Sequence, residues 1–122
     1  MTMPVMQWVE SCEGELPEMP IEPGWILEGE PEARGKIFLQ TADKLVSMGL
    51  WSCTPGKFRW EFAGDEIVYL LAGEVLVSDS TGNTMTLRPG DIAEFPRGTT
   101  AVWDVRKAVR KVFTLRTPEP LE

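Results

Sequence analysis

Short apolar segments separated by turns rich in glycine and proline fill the chain from residue 35 onward, and this pattern constrains the fold most strongly. None of the segments shows a helical period, so the pattern predicts an all-β fold: an antiparallel sandwich, a jelly roll or a small barrel. We predict strands at residues 36–40, 45–53, 57–62, 66–71, 74–78, 84–87, 92–95, 100–105 and 109–115.

Two of these segments carry further information. The segment KFRWEF alternates, which places Phe58, Trp60 and Phe62 on one face of a strand and three charged residues on the other. The segment Glu66–Leu71 is almost continuously apolar, so we expect it to be buried on both faces. Gly73 then predicts a tight turn into the next strand.

Charge and proline divide the chain into three parts. Residues 1–33 hold eight glutamates, no lysine or arginine and five of the ten prolines, which disfavour regular structure. We predict an acidic N-terminal arm over 1–33, a barrel over 34–116 and a loose C-terminal tail over 117–122. Apolar residues such as Trp8 and Trp25 suggest that parts of the arm pack on the barrel or on a partner chain. A solvated acidic tail remains open for residues 1–18.

Composition excludes several classes of function. The chain has no histidine, and therefore no histidine general base, Ser-His-Asp triad or histidine-ligated metal. A net charge of −7 argues against a nucleic-acid or anionic-membrane partner. No apolar run is long enough to span a membrane and no secretory signal is evident, so we expect a cytoplasmic protein. Cys12 and Cys53 are expected to be ordinary thiols, with a disulfide or a nucleophilic Cys53 as weaker alternatives.

Two motifs resemble those of the cupin superfamily. Glu66 is followed after six residues by Gly73, and Gly90 is followed after five residues by Pro96 and then by Gly98. These spacings match E-x6-G in the first cupin motif and G-x5-PxG in the second. The resemblance implies a single-domain cupin, which is a jelly-roll barrel of the double-stranded β-helix type.

The resemblance covers roughly residues 24–116 and is greatest to small single-domain cupins related to the ureidoglycine aminohydrolase C-terminal domain. These include a branch that lacks histidine at the metal-ligand positions. The resemblance also implies that such cupins commonly pair into homodimers. Trp51 and Met48 are predicted to lie at a strand edge.

The metal ligands of the cupin motifs do not carry over to this chain. Only the glutamate, Glu66, is of a ligand type, and one carboxylate does not hold a transition metal. We therefore expect no bound metal and no cofactor, and no metal-dependent reaction such as ureidoglycine hydrolysis. Glu61 and Cys53 are the further candidates should a metal be present. The histidine positions fall on Trp60 and Phe62 with a three-residue spacer, on Arg59 and Glu61 with a four-residue spacer, and on Ala101 in the second motif.

Glu66 is expected to face the barrel interior and to need a partner there, because an unpaired buried carboxylate is costly. Lys111 is the favoured cation, with Arg110, Arg59 and the indole N–H groups of Trp60 and Trp103 as alternatives. The pair either lines a small-molecule site or is a structural ion pair among aromatic rings that fill the cavity. The predicted pocket comprises Phe58, Trp60, Phe62, Glu66, Val68, Ala101, Trp103 and Lys111.

Three functions of different classes remain. The first is a metal-free cupin that binds a small polar molecule in its barrel pocket. The second is a metal-independent isomerase or amidohydrolase that uses Glu66 and Lys111 as acid and base. The third is a structural or regulatory dimer whose acidic arm binds another protein.

Overall fold

Eight strands follow one another along the chain, and every pair of neighbours is antiparallel. They are seen in a computed structural model, which describes residues 3–12 and 14–122. The all-β prediction is confirmed, because the helical structure found in these residues is a single 3-10 turn, Pro23–Trp25. The strands are β1 (Ile26–Glu28), β2 (Ala33–Gln40), β3 (Val46–Cys53), β4 (Gly56–Glu61), β5 (Asp65–Asp79), β6 (Thr84–Leu87), β7 (Ile92–Phe95) and β8 (Thr100–Arg116).

The two longest strands, β5 and β8, form the frame of the sheet and pair along most of their length. Along its other edge, β5 pairs with β7 through residues 66–69 and with β6 through residues 75–78. Along its other edge, β8 pairs with β4 in its first part and with β3 in its last part. β4 pairs in turn with β1, and β3 pairs in turn with β2. The buried side chains of these strands share one hydrophobic cluster, so the core lies within the curled sheet.

The predicted turn at Gly73 is wrong, and so is the division of β8 into two strands. β5 continues through residues 66–78, and the register against β8 shifts between Leu70 and Val75. Gly73 has φ +87°, and a Cβ there would lie 2.1 Å from the carbonyl oxygen of Ala108. The glycine therefore makes a bulge that bends a continuous strand instead of reversing it.

The prediction that residues 66–71 are buried on both faces is also wrong. The strand alternates between a buried inner face and an outer face open to solvent, as an antiparallel sheet with one covered face does. On the outer face four exposed residues form what we call the outer apolar strip: Ile67, Tyr69, Leu71 and Ile92.

Part of the N-terminal arm packs along β2. The Met19 amide donates to the Ala33 carbonyl at 2.9 Å, and the Gly35 amide donates to the Pro17 carbonyl at 3.0 Å. Leu16 and Ile21 are buried, whereas residues 3–12 are exposed. Positions 1, 2 and 13 of the predicted arm lie outside the described residues.

The C-terminal segment is fixed to the barrel, so the prediction of a loose tail is wrong. The Leu121 amide donates to the Lys44 carbonyl at 2.9 Å, and Gln40 Nε2 donates to the Leu121 carbonyl at 2.9 Å. The Thr117 amide donates to the Leu45 carbonyl at 2.9 Å. These three hydrogen bonds hold the segment beside the β2–β3 connection. Its two prolines have no N–H group to donate, but none of the three bonds needs a proline donor.

Candidate functional site

A cavity of about 300 Å³ opens inside the curled sheet. Its walls come from the inner faces of β2, β3, β4, β5 and β8, and from one residue of the arm and two of the tail. The cavity is lined by Met19, Ile37, Trp51, Phe58, Trp60, Phe62, Glu66, Trp103, Lys111, Phe113, Leu115, Leu121 and Glu122.

The polar centre of the cavity is an ion pair between β5 and β8. Lys111 Nζ donates to Glu66 Oε2 at 2.8 Å. Glu66 is 9% exposed and Lys111 is 6% exposed, so both charges are largely removed from water. This is the partner that the sequence favoured for Glu66.

Two indole rings enclose the ammonium group. Lys111 Nζ lies 4.6 Å from the ring centroid of Trp51 and 4.7 Å from that of Trp103. Trp51 is the cross-strand neighbour of Lys111 on β3, so the sheet register itself brings the first ring beside the cation. Both distances are within the range of a cation–π interaction, which stabilises the buried charge.

The remaining walls are aromatic rings in contact with one another. Trp103 stacks on Phe58 with centroids 6.4 Å apart and meets Trp51 edge-on at 5.9 Å. From the arm, Trp25 packs edge-on against Trp60 at 5.1 Å. Trp103 is 2% exposed, and its Nε1–H has no hydrogen-bond partner among the described residues.

Six of the eight predicted pocket residues line the cavity: Phe58, Trp60, Phe62, Glu66, Trp103 and Lys111. Val68 and Ala101 are buried in the hydrophobic cluster instead and are not among the lining residues. Arg59 is not the partner of Glu66, because it pairs with Glu61 on the outer side of β4. Arg110 neighbours Lys111 on β8 and is placed on the opposite face by strand alternation.

The sequence missed Trp51, Met19, Ile37 and the tail residues of the wall, together with Phe113 and Leu115. Trp51 is buried on β3, which lies between β2 and β8, so its predicted place at a strand edge is wrong. A signal for two of the missed residues was present, since Lys111, Phe113 and Leu115 alternate along one face of β8. Met19 and the tail residues carry no such pattern.

Cys53 is buried on β3, and burial raises the pKa of its thiol to about 12, although the positive charge of Lys111 lowers it. The thiol is therefore protonated at neutral pH, which disfavours a nucleophilic role. Cys12 is exposed, and both cysteines are free.

The residues present do not fit the metal that cupin motifs commonly hold. Glu66 is bonded to an ammonium group, and the positions expected to supply histidine hold Trp60, Phe62 and Ala101. Across residues 3–12 and 14–122, no three cysteine, aspartate or glutamate side chains cluster in a way that could hold a metal ion. The same residues include no helix long and apolar enough to cross a membrane.

The curled antiparallel sheet and the cavity inside it define a cupin-type barrel domain. The family model of the EutQ-like cupin domain matches residues 40–113, and the chain belongs to this family. No curated protein matches the sequence. The narrower resemblance to the ureidoglycine aminohydrolase domain stays a prediction.

Solved structures share the fold. The ethanolamine utilization protein EutQ of Salmonella typhimurium LT2 superposes with a TM-score of 0.62 at 23% identity, covering 70% of this chain and 69% of that one. A DUF861-family protein of unknown function from Pseudomonas syringae pv. tomato has a TM-score of 0.77 at 21% identity over 86% of this chain, which spans 46% of that protein. A DUF861-family protein of Thermotoga maritima is 28% identical, with a TM-score of 0.52 and coverage of 67% and 99%.

Proposed function

We propose that this cupin domain binds a small polar molecule in its barrel cavity without a metal ion. The observation that carries the proposal is the Glu66–Lys111 pair on the wall of an otherwise apolar cavity. A buried ion pair contributes little to stability compared with apolar residues of the same size, so stability alone does not account for it. A charged pair beside an open volume supplies the polar contacts that orient a ligand.

The size of the cavity supports binding over a merely structural pair. Aromatic rings that only replaced a lost metal site would be expected to close the space, because protein interiors pack densely. Here about 300 Å³ remains open beside the pair, which is at the lower end of the range for small-molecule sites.

The proposal is tested by thermal unfolding with a set of small carboxylic acids, amides, amines and sugars. A compound at ten times its Kd stabilises the native state by about 1.4 kcal/mol, which corresponds to a rise in Tm of about 5 °C. Leu115→Trp fills the cavity and is expected to abolish the rise. Thr114→Trp introduces the same side chain on the opposite face of β8 and is expected to leave it unchanged. Absence of any stabilising compound, or stabilisation that survives Leu115→Trp, would contradict the proposal.

We further propose that the outer apolar strip is the contact between two copies of the chain. The strip places four large apolar side chains on the neighbouring strands β5 and β7. Light scattering coupled to size exclusion is expected to give twice the chain mass of 13.7 kDa. Tyr69→Lys is expected to return the monomer, and Thr86→Lys on exposed β6 is the matched control. If the wild-type protein is a monomer, the proposal of a dimer is refuted, and the proposal of a ligand in the cavity is not affected.

A further inference from the structure

One oxygen of the Glu66 carboxylate has no partner within the protein. Oε2 accepts a hydrogen bond from Lys111 Nζ at 2.8 Å, whereas Oε1 accepts none from the residues that the structure describes. Oε1 is not sealed inside the protein either, because Trp103 Nε1 is the one enclosed and unpartnered side-chain nitrogen or oxygen among those residues. Oε1 therefore keeps accessible surface, and since Glu66 lines the cavity, we take that surface to face it.

The Lys111 ammonium, by contrast, is supplied with partners by the chain itself. Its Nζ contacts one carboxylate oxygen of Glu66 and lies 4.6 Å and 4.7 Å from the ring centroids of Trp51 and Trp103. A carboxylate and two ring faces match the three N–H groups of an ammonium. The polar group that this ion pair offers to a ligand is therefore the second oxygen of Glu66.

A carboxylate oxygen specifies the kind of ligand group that binds it. An ionised carboxylate accepts hydrogen bonds and donates none, so the matching group carries an O–H or N–H. Hydrogen bonds to an ionised acceptor are among the stronger ones in proteins, and they gain further in an apolar setting. A ligand that offers only acceptors leaves Oε1 without a partner, which is costly once water has been displaced.

The charges on the wall favour a neutral ligand. Glu66 and Lys111 neutralise each other, and Glu122, the third charged residue of the wall, has Lys44 as its partner at 3.3 Å. A charged ligand of either sign would bring an uncompensated charge into an apolar cavity, which is costly. An anion would in addition meet the like charge of the open Glu66 oxygen.

The body of the ligand follows from the rest of the wall. Three tryptophans and three phenylalanines line the cavity, and the other uncharged wall residues are aliphatic or methionine. Aromatic rings stack on rings or meet them edge-on, and a volume of about 300 Å³ suits a molecule with one ring.

We propose that the cavity binds a small neutral ring molecule that donates an O–H or N–H hydrogen bond to Glu66 Oε1. This inference rests on the proposed function and narrows its ligand to one class. Glu66 is the specificity-determining residue, and Lys111 is a positioning residue that holds the other carboxylate oxygen at 2.8 Å. The aromatic walls hold the ring.

Four probes of similar shape test the proposal: phenol, toluene, acetophenone and benzoate. Each is titrated into ¹⁵N-labelled full-length protein, and its Kd is obtained by NMR from the indole N–H signals of the cavity tryptophans. Phenol, the neutral donor, is expected to bind at least about tenfold more tightly than toluene, which has no polar group, and than acetophenone, which only accepts. Benzoate is expected to bind at least about tenfold more weakly than phenol.

Glu66→Gln tests the role of the open oxygen. The ammonium of Lys111 only donates, so the amide oxygen is expected to remain with it and the NH₂ group to take the place of Oε1. The cavity then offers a donor, and the preference for phenol over acetophenone is expected to fall at least about tenfold. Glu61→Gln is the matched control, because Glu61 pairs with Arg59 on the outer side of β4, and it should leave the wild-type order unchanged.

Three results overturn the inference and leave the proposed function standing. They are toluene or acetophenone binding as tightly as phenol, benzoate binding as tightly as phenol, and a Glu66→Gln protein that keeps the wild-type preference. If Glu66→Gln does not fold, the wild-type order of the four probes decides alone. Failure of all four probes to move any signal of the cavity wall overturns the inference and counts against the proposed function as well.

Discussion

Replacing Lys111 with methionine removes the ammonium group and keeps a side chain of similar length. The Glu66 carboxylate then stays in the barrel without its 2.8 Å partner, and the cation between the two indole rings is lost. Breaking a buried pair from one side costs about 3–5 kcal/mol, mainly because a charge is left uncompensated. Glu66→Gln is expected to cost less, about 1–3 kcal/mol, because the amide oxygen still accepts a hydrogen bond from Lys111. The Lys111 ammonium also keeps its contacts with the rings of Trp51 and Trp103.

The double variant Glu66→Gln/Lys111→Met separates this explanation from simple loss of packing. With both charges removed, no uncompensated charge remains, but the amide at position 66 has lost its partner, so the double variant is expected to be about 1–3 kcal/mol less stable than the wild type and more stable than Lys111→Met. The two single costs therefore do not add, and the coupling free energy is at least about 1 kcal/mol.

Urea unfolding followed by far-UV circular dichroism measures all four proteins. Circular dichroism is preferred to tryptophan fluorescence because Trp51 and Trp103 lie beside the mutated charge. Two results would refute the reasoning. The first is a free energy of unfolding for Lys111→Met within about 0.5 kcal/mol of the wild type, and the second is a double variant whose cost equals the sum of the two single costs.

Four further predictions concern stability and thiol reactivity. Gly73→Ala should lower the free energy of unfolding clearly more than Gly82→Ala. Both glycines have positive φ, which costs an alanine about 1–2 kcal/mol. A Cβ at position 73 would also meet the Ala108 carbonyl on β8, whereas no atom lies within 4 Å of a Cβ at position 82. With a thiol reagent, Cys12 should react in the native protein and Cys53 only after unfolding. Because the pKa of Cys53 is raised from 9.0 to about 12, its contribution to stability is complete below pH 9 and lost as pH rises toward 12, a loss that Cys53→Ala should not show in pH-dependent unfolding. Hydrogen bonds from Arg97 and Arg116 lower the pKa of Asp65 below 3.8. The contribution of Asp65 to stability is therefore present above pH 3.8 and lost as the pH falls further. In Asp65→Asn, the free energy of unfolding should fall less steeply on acidification than in the wild type.

Local alternation predicted the parts of the site that lie on regular strands. Phe58, Trp60 and Phe62 share a face because β4 pairs with β8 without a bulge, so the period-two spacing holds along the strand and into the residue that follows it. Glu66 was found through its spacing to Gly73 in the cupin-like motif, and Gly73 lies at the bulge of β5. The partner Lys111 followed from its place on the last strand and from the need to neutralise a buried carboxylate.

The remaining features depend on pairing between distant strands, which local patterns do not encode. Glycine marks a turn and a bulge equally well, so Gly73 alone did not show that β5 runs on. An apolar run fits a strand buried on two faces as well as one with an exposed apolar face, which explains the error over residues 66–71. Trp51 enters the site only through its register with Lys111.

The ion pair joins residues 45 positions apart, and the cavity walls draw on β2, β3, β4, β5 and β8 together with the arm and the tail. The site is therefore complete only after β2, β3, β4, β5 and β8 have all paired, and long-range pairings of this kind make folding slow compared with helical domains of equal size. A bound molecule then acts on the native state alone, so it slows global unfolding and leaves the rate of the early folding steps unchanged.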